Sequence, residues 1–415
     1  MRMSKFFIIG NIGGSKMKIQ KLDVNNIGGI QELHLEFKDG LNVLCGENGV
    51  GKTTVLNIIE HVYSKDGKII KNSRSEEGSY MLLANFAGES GTVKEIIERN
   101  KQQGAAENPR PKSIEYTPSS IQKFFESKKN EVIYLGTSRD IQYNTVNSLQ
   151  GTKRMLPSDV NEVLLSGEAS KYIVNWIANR FAFLNVEGSL KDSAKKNYKI
   201  ALNALNGLDK DTKFKTVEAD TLDIVLSTNR GDVYLKDMCS GYKSCLYLII
   251  GIIDEIENRF DQMSIEEFNG VILIDEIDGH LHPTWQNKIV QILKDTFPNA
   301  QLIMTTHSPS ILQNLKKEEI IPLMRDEEGN VLVKELHLGE YGLQGWTLEE
   351  IMEDVMGMPT TRSETFETVK NAFDKAMNHE DTEEIKRTHQ ILEKMLHPDN
   401  VLKTLLRIQT AGMEE

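Results

Sequence analysis

Long apolar runs are missing from this chain. The longest, residues 245–253, is about half the length a helix needs to span a bilayer, which excludes an integral membrane protein built on its own helices. Cysteine is scarce too. Cys45, Cys239 and Cys245 form an odd set with no metal-ligand spacing, so a disulfide framework and a structural zinc site are both excluded, and a reducing, cytoplasmic compartment is expected. Basic residues are outnumbered, 49 against 61 acidic, and the net charge of −12 excludes a protein whose whole surface embraces nucleic acid. A local basic groove is still allowed. A secretory signal is also lacking, since the apolar patch at residues 6–9 is too brief, and residues 1–16 are expected to form a flexible tail. What remains is an ordinary globular composition, 39% hydrophobic and 27% charged over 415 residues, with length for two or three compact units.

One stretch organises the rest. Residues 41–60 read LNVLCGENGVGKTTVLNIIE and contain G-x-x-x-x-G-K-[ST] between a short apolar strand and an apolar helix pattern. The glycines let the backbone curl so that successive N–H groups face a triphosphate, and the helix N-terminus adds its dipole. The expected ATP cradle is therefore Gly46, Glu47, Asn48, Gly49, Val50, Gly51, Lys52, Thr53 and Thr54. Lys52 is expected to bridge the β- and γ-phosphates, and Thr53 to hold Mg²⁺ through its hydroxyl.

Two later segments supply complementary chemistry. In NGVILIDEIDGHLHP (residues 269–283) a four-residue aliphatic strand delivers Asp275 and Glu276 at its carboxyl end, where open α/β sheets place ligands. Asp275 suits the water shell of Mg²⁺ and Glu276 suits an attacking water. A second strand, residues 301–304, runs into TTHSPSIL and places His307 within expected reach of a γ-phosphate. His280 and His282 have a spacing that suggests metal, but Pro283 at a helix start explains part of that motif. After the strand-like EVIYL at residues 131–135, Arg139 and Gln142 are further candidates for sensing nucleotide or its Mg²⁺.

The remaining patterns are mostly architectural. Residues 17–46 read as three strands with turns at Asn25-Asn26, Gly28-Gly29 and Asp39-Gly40. Residues 158–205 are helical, with Tyr172, Ile173, Trp176, Ile177 and Phe181 as a core stripe and a basic run at residues 191–199. After strands at 212–238, Ser240-Gly241 heads a strongly apolar helix, and residues 319–335 read as a hairpin. Beyond Trp346, capping-box spacings at Thr347/Glu350 and Thr361/Glu364 open a helical region whose apolar faces suit a small docking bundle.

Phosphate loop, Ser-Gly turn, LIDE and TTHSP follow the order of the ABC-type ATPases of the SMC and RecF kind, which this chain resembles over most of residues 17–315. The resemblance implies an α/β P-loop ABC-type ATPase head that dimerises around ATP and Mg²⁺. It makes Ser240 and Gly241 the signature that binds the γ-phosphate held by a second copy, although Cys239, Tyr242 and Lys243 depart from the transporter form of that motif. It also makes Glu276 the catalytic glutamate, places Asp278 in the D-loop that lies between the two copies, and makes His307 the switch histidine. Only a modest helical insert fits between Thr54 and Ser240, so a long coiled coil is excluded. The expected layout is a tail (1–16), a first lobe with the phosphate loop (17–156), a short helical insert (157–212), a second lobe (213–346) and a C-terminal helical docking region (347–415). The short insert and helical end are most similar to the compact ATPases of bacterial anti-phage systems of the Septu and retron type, which work beside a separate nuclease, of HNH type in Septu. A RecF-like clamp on DNA is the alternative, with nucleic acid reached directly or through the complex.

Overall fold

Three strands come out of residues 17–46, as their alternation predicts: β1 (Met17–Ile27), β2 (Ile30–Glu36) and β3 (Leu41–Gly46). The computed structural model describes residues 17–64, 69, 75, 77–86, 89–98, 125, 127–137, 148–149 and 170–411. On β2 the side chains of Leu33 and Leu35 are buried while Glu32, His34 and Glu36 are exposed, the period of two that a half-covered sheet requires. The chain does not turn at Asn25-Asn26. Strand β1 runs through both, with Asn26 in the left-handed region at φ 53°, and reverses at Gly28.

Strands β1 and β2 join β4 (Glu77–Phe86) and β5 (Glu89–Glu98) in an antiparallel sheet of order β2-β1-β4-β5. Strand β3 belongs elsewhere. It lies in a six-stranded sheet with β6 (Val132–Leu135), β10 (Val271–Ile274), β11 (Gln301–Thr305), β12 (Ile320–Arg325) and β13 (Val331–Val333), in the order β13-β12-β3-β11-β10-β6. All neighbours in it are parallel except β13, which closes the expected hairpin with β12. A small antiparallel sheet of β7 (Lys213–Val217), β8 (Ile224–Thr228) and β9 (Gly231–Tyr234) stands apart.

Continuous apolar strands reflect a sheet covered on both faces. Val43, Cys45, Ile133, Leu135, Ile272, Ile274, Leu302 and Met304 face one apolar cluster, and the residues between them, Leu44, Val132, Tyr134, Val271, Leu273 and Ile303, face another. The second cluster is completed by Val55, Leu56, Ile58, Ile59 and Val62 of the helix Lys52–Ser64 and by the inner face of the antiparallel sheet. The first is filled by the helix Ser240–Arg259, buried almost throughout, with Trp176 and Ile177 of the helix Ser170–Phe183 and Tyr198, Ala201 and Leu205 of the helix Asp192–Leu208. The segment expected as an insert thus builds the core itself. Two lysines of its basic run are paired locally, Lys191 with Asp261 and Lys196 with Glu266, and Asn197 is fully buried.

One polar side chain ties the two large sheets. Buried Gln301 accepts from the Ile19 N–H at 2.7 Å and donates to the carbonyls of Ile19 and Lys38, each at 2.8 Å. By meeting its hydrogen bonds inside the protein it avoids the cost of a buried, unpaired amide.

The chain divides into two compact units, one running to Gly357 and one from Met358. This seam lies later than the expected junction at 346/347, because Ile351, Val355 and Met356 are buried in the first unit's core. Within the second unit the helices Glu364–Asn378, Thr382–Met395 and Val401–Thr410 enclose Phe366, Phe373, Ile385, Leu392 and Leu406. Val401, Leu405 and Ile408 stay exposed on the last helix. No helix among the described residues is long and apolar enough to cross a membrane.

Candidate active site

The parallel register sets the site. Strands β3, β11 and β10 end side by side, with Leu44 opposite Thr305 and Met304 opposite Ile274, so the phosphate loop, Thr305 to His307 and Asp275 to Asp278 emerge at one sheet edge. The loop's glycines are there for space as well as for φ. Gly46 sits at φ 132°, and a Cβ there would lie 2.0 Å from the Leu323 carbonyl oxygen; Gly51 sits at φ 113° against Ile30. Lys52 is buried, with its Nζ donating to the carbonyls of Gly46 at 2.9 Å and Glu47 at 2.8 Å. Burial lowers its pKa, against the raising pull of nearby Asp275, Glu276 and Asp278.

Two threonine hydroxyls hold the carboxylate of Asp275. Thr53 Oγ1 donates to Asp275 Oδ1 at 3.1 Å and Thr305 Oγ1 donates to the same oxygen at 2.6 Å. The Thr305 hydroxyl also accepts from the Glu276 N–H at 2.7 Å. Glu276 is in the left-handed region at φ 48°, a conformation worth about 1–3 kcal/mol of strain for a residue with a side chain. That strain is held by the Ile277 N–H bond to the Thr305 carbonyl and by buried Ile277. Asp278 turns back to bind Thr306 Oγ1 at 2.6 Å and the His307 N–H at 3.0 Å, both through Oδ1. The His307 imidazole is half-buried, and its pKa is lowered by burial and then by Lys52, against the pull of Asp278, Glu276 and Asp275.

The arrangement gathers Lys52, Thr53, Asp275, Glu276, Asp278 and His307, which the sequence separates by more than two hundred positions. Thr53 and Asp275 offer hard oxygens in contact with each other, the donor chemistry Mg²⁺ takes. Arg139 and Gln142 lie outside the described residues. His282 is a helix cap whose Nδ1 accepts from the Thr284 N–H, with Pro283 in the first helical turn, and no cluster of three or more His, Cys, Asp or Glu among the described residues could hold a metal ion.

Ser240 and Gly241 occupy a different wall. Ser240 is exposed at the start of the helix Ser240–Arg259, which no side chain caps, while Gly241 is buried against Trp285 and the His280 carbonyl. A Cβ at Gly241 would lie 2.7 Å from the Trp285 ring and 3.0 Å from that oxygen. Thr305, Thr306 and Arg325 carry structural weight that the motif reading missed. The first two were visible as the leading letters of TTHSP, whereas nothing local marks Arg325.

Residues 41–313 match the family described as "AAA domain, putative AbiEii toxin, Type IV TA system". The chain is 36% identical over 398 residues to the Septu protein PtuA of Bacillus thuringiensis, covering 95% of this chain and 98% of that protein. It is 38% identical over 104 residues to the Retron Vc95 probable ATPase of Vibrio cholerae serotype O1 biovar El Tor, covering 24% of this chain and 20% of that one. Among solved structures, the Smc head domain of Pyrococcus furiosus aligns at a TM-score of 0.45 and 15% identity, over 77% of this chain and 96% of that one. With its phosphate loop and acidic strand end in place, the chain belongs to the family of P-loop ATPases that includes the Septu protein PtuA.

Proposed function

We propose that two copies of this ATPase close around two ATP molecules, and that the closed pair controls a separate effector nuclease in anti-phage defence. In this reading Lys52 and the loop N–H groups hold the phosphates. Thr53 and Asp275 would hold Mg²⁺, which would neutralise phosphate charge when bound. Glu276 takes a proton from water as the water oxygen attacks the γ-phosphorus and the bond to ADP breaks. Neutral His307 contacts the γ-phosphate, and Asp278 holds it in place through its backbone N–H.

The observation that carries the pairing is the exposed, uncapped start of the Ser240 helix. Its free N–H groups and dipole suit a γ-phosphate presented by a second copy. The relationship to a Septu protein and to a retron ATPase supports the defence role. The pairing of Lys191 and Lys196 with acids of the same surface gives a DNA clamp less support.

The test is the mass of Glu276→Gln protein with and without ATP and Mg²⁺. A doubling or higher multiple on adding ATP, with wild-type specific activity that rises with protein concentration, is expected. A monomer in ATP together with a concentration-independent rate would refute the shared site.

A further inference from the structure

The carbonyls of the phosphate loop are gripped from two sides. Lys52 Nζ takes those of Gly46 and Glu47, and Arg325, at the end of β12, takes that of Gly49 through Nη2 at 2.9 Å. Its Nη1 donates to Gly29 O at 3.1 Å and to Gly329 O at 2.9 Å. One guanidinium therefore joins the β1–β2 turn, the phosphate loop and the β12–β13 turn. Glycine at position 29 makes this approach possible, since a Cβ there would lie 3.0 Å from Nη2. No carboxylate among the described residues neutralises Arg325.

In a trans peptide the carbonyl and the following N–H point opposite ways. Drawing the Gly49 carbonyl outward turns the Val50 N–H inward, where it lies 3.4 Å from the Glu47 carbonyl and closes the curl of the loop. Lys52 must give up its two carbonyls to reach phosphate oxygens. Arg325 has no such exchange to make, because its three bonds go to the carbonyls of Gly29, Gly49 and Gly329, none of which Lys52 holds.

We propose that Arg325 is a positioning residue of the ATPase, which keeps the phosphate loop curled while Lys52 changes partners, and so governs nucleotide capture more than the hydrolytic step. Lysine is a poor substitute, since a single ammonium cannot span three carbonyls in a fixed fork.

The test uses the full chain with ATP and Mg²⁺, reading Kd by titration calorimetry and KM and kcat by phosphate release. Arg325→Ala is expected to raise Kd and KM by about tenfold, the scale of one lost charge-assisted hydrogen bond, while kcat at saturation stays within about twofold. Arg325→Lys should fall between the two, and millimolar guanidinium should lower the KM of Arg325→Ala while leaving the wild type unchanged. Should the alanine variant not fold, the lysine variant decides by its Kd. An unchanged Kd in a folded variant, or a fall in kcat with KM unchanged, would overturn the assignment.

Discussion

Replacing Thr305 with valine keeps the side-chain volume and the strand preference of β11 and removes a single oxygen. That oxygen serves two groups, donating to Asp275 Oδ1 at 2.6 Å and accepting from the Glu276 N–H at 2.7 Å. Thr305 is fully buried, so water has no room to replace it. One bond to a carboxylate is lost and one N–H is left bare, together about 2–4 kcal/mol. Glu276 depends on this support because its backbone is strained, and each 1.36 kcal/mol that reaches the transition state is a factor of ten in rate. If about half the loss does so, kcat falls about 5- to 30-fold. The affinity for ATP stays within about threefold, because Thr305 gives no hydrogen bond to the loop carbonyls that Lys52 and Arg325 hold. Phosphate release at saturating ATP and a thermal melt measure both effects, with Thr305→Ser as the control that restores the hydroxyl. A Thr305→Val enzyme turning over at the wild-type rate, or a serine variant as slow as the valine one, would refute the reasoning.

Three further outcomes follow from the same geometry. Because burial and Lys52 hold the His307 pKa below 6.5, the fold favours the neutral ring; its stabilising contribution is complete above pH 6.5 and is lost as pH falls through the lower, folded value. Melting temperature against pH should therefore decline less steeply on the acid side in His307→Gln, and identical slopes would count against this. Gly241→Ala should keep ATP binding but lose about tenfold or more in turnover, since the added methyl meets the Trp285 ring and overpacking of this kind costs about 1–3 kcal/mol; normal phosphate release would contradict it. A chain ending at Gly357 should fold and bind ATP, whereas one ending at Trp346 should melt far earlier, because Ile351, Val355 and Met356 leave the core at about 2–5 kcal/mol for a large apolar side chain. Equal melting temperatures for the two truncations would refute the seam.

What could be read from the chain was what strands and loops announce locally. Four aliphatics before Asp275, the glycines around Lys52 and the strand before His307 each carry their own context, and the sheet brings them together in the expected way. Arg325 and Gln301 were invisible for the opposite reason. Their partners Gly49 and Ile19 lie hundreds of residues away, and a single polar residue at a strand end has no period to betray it. The basic run at residues 191–199 is the surface feature its composition suggests, with Lys191 and Lys196 paired to Asp261 and Glu266, partners that no local pattern announces. At residue 347 a genuine capping box, Thr347 with Glu350, marked a helix start correctly. It said nothing of which unit the helix would join, because Ile351 and Val355 are buried by tertiary packing.

Gly357 closes the first unit at φ 76°, where a Cβ would lie 2.6 Å from the Glu47 carboxylate of the phosphate loop. The seam between units is thus also a steric boundary. A join placed after this residue keeps the glycine, whereas a join that puts any other residue at 357 presses a side chain onto Glu47 of the phosphate loop.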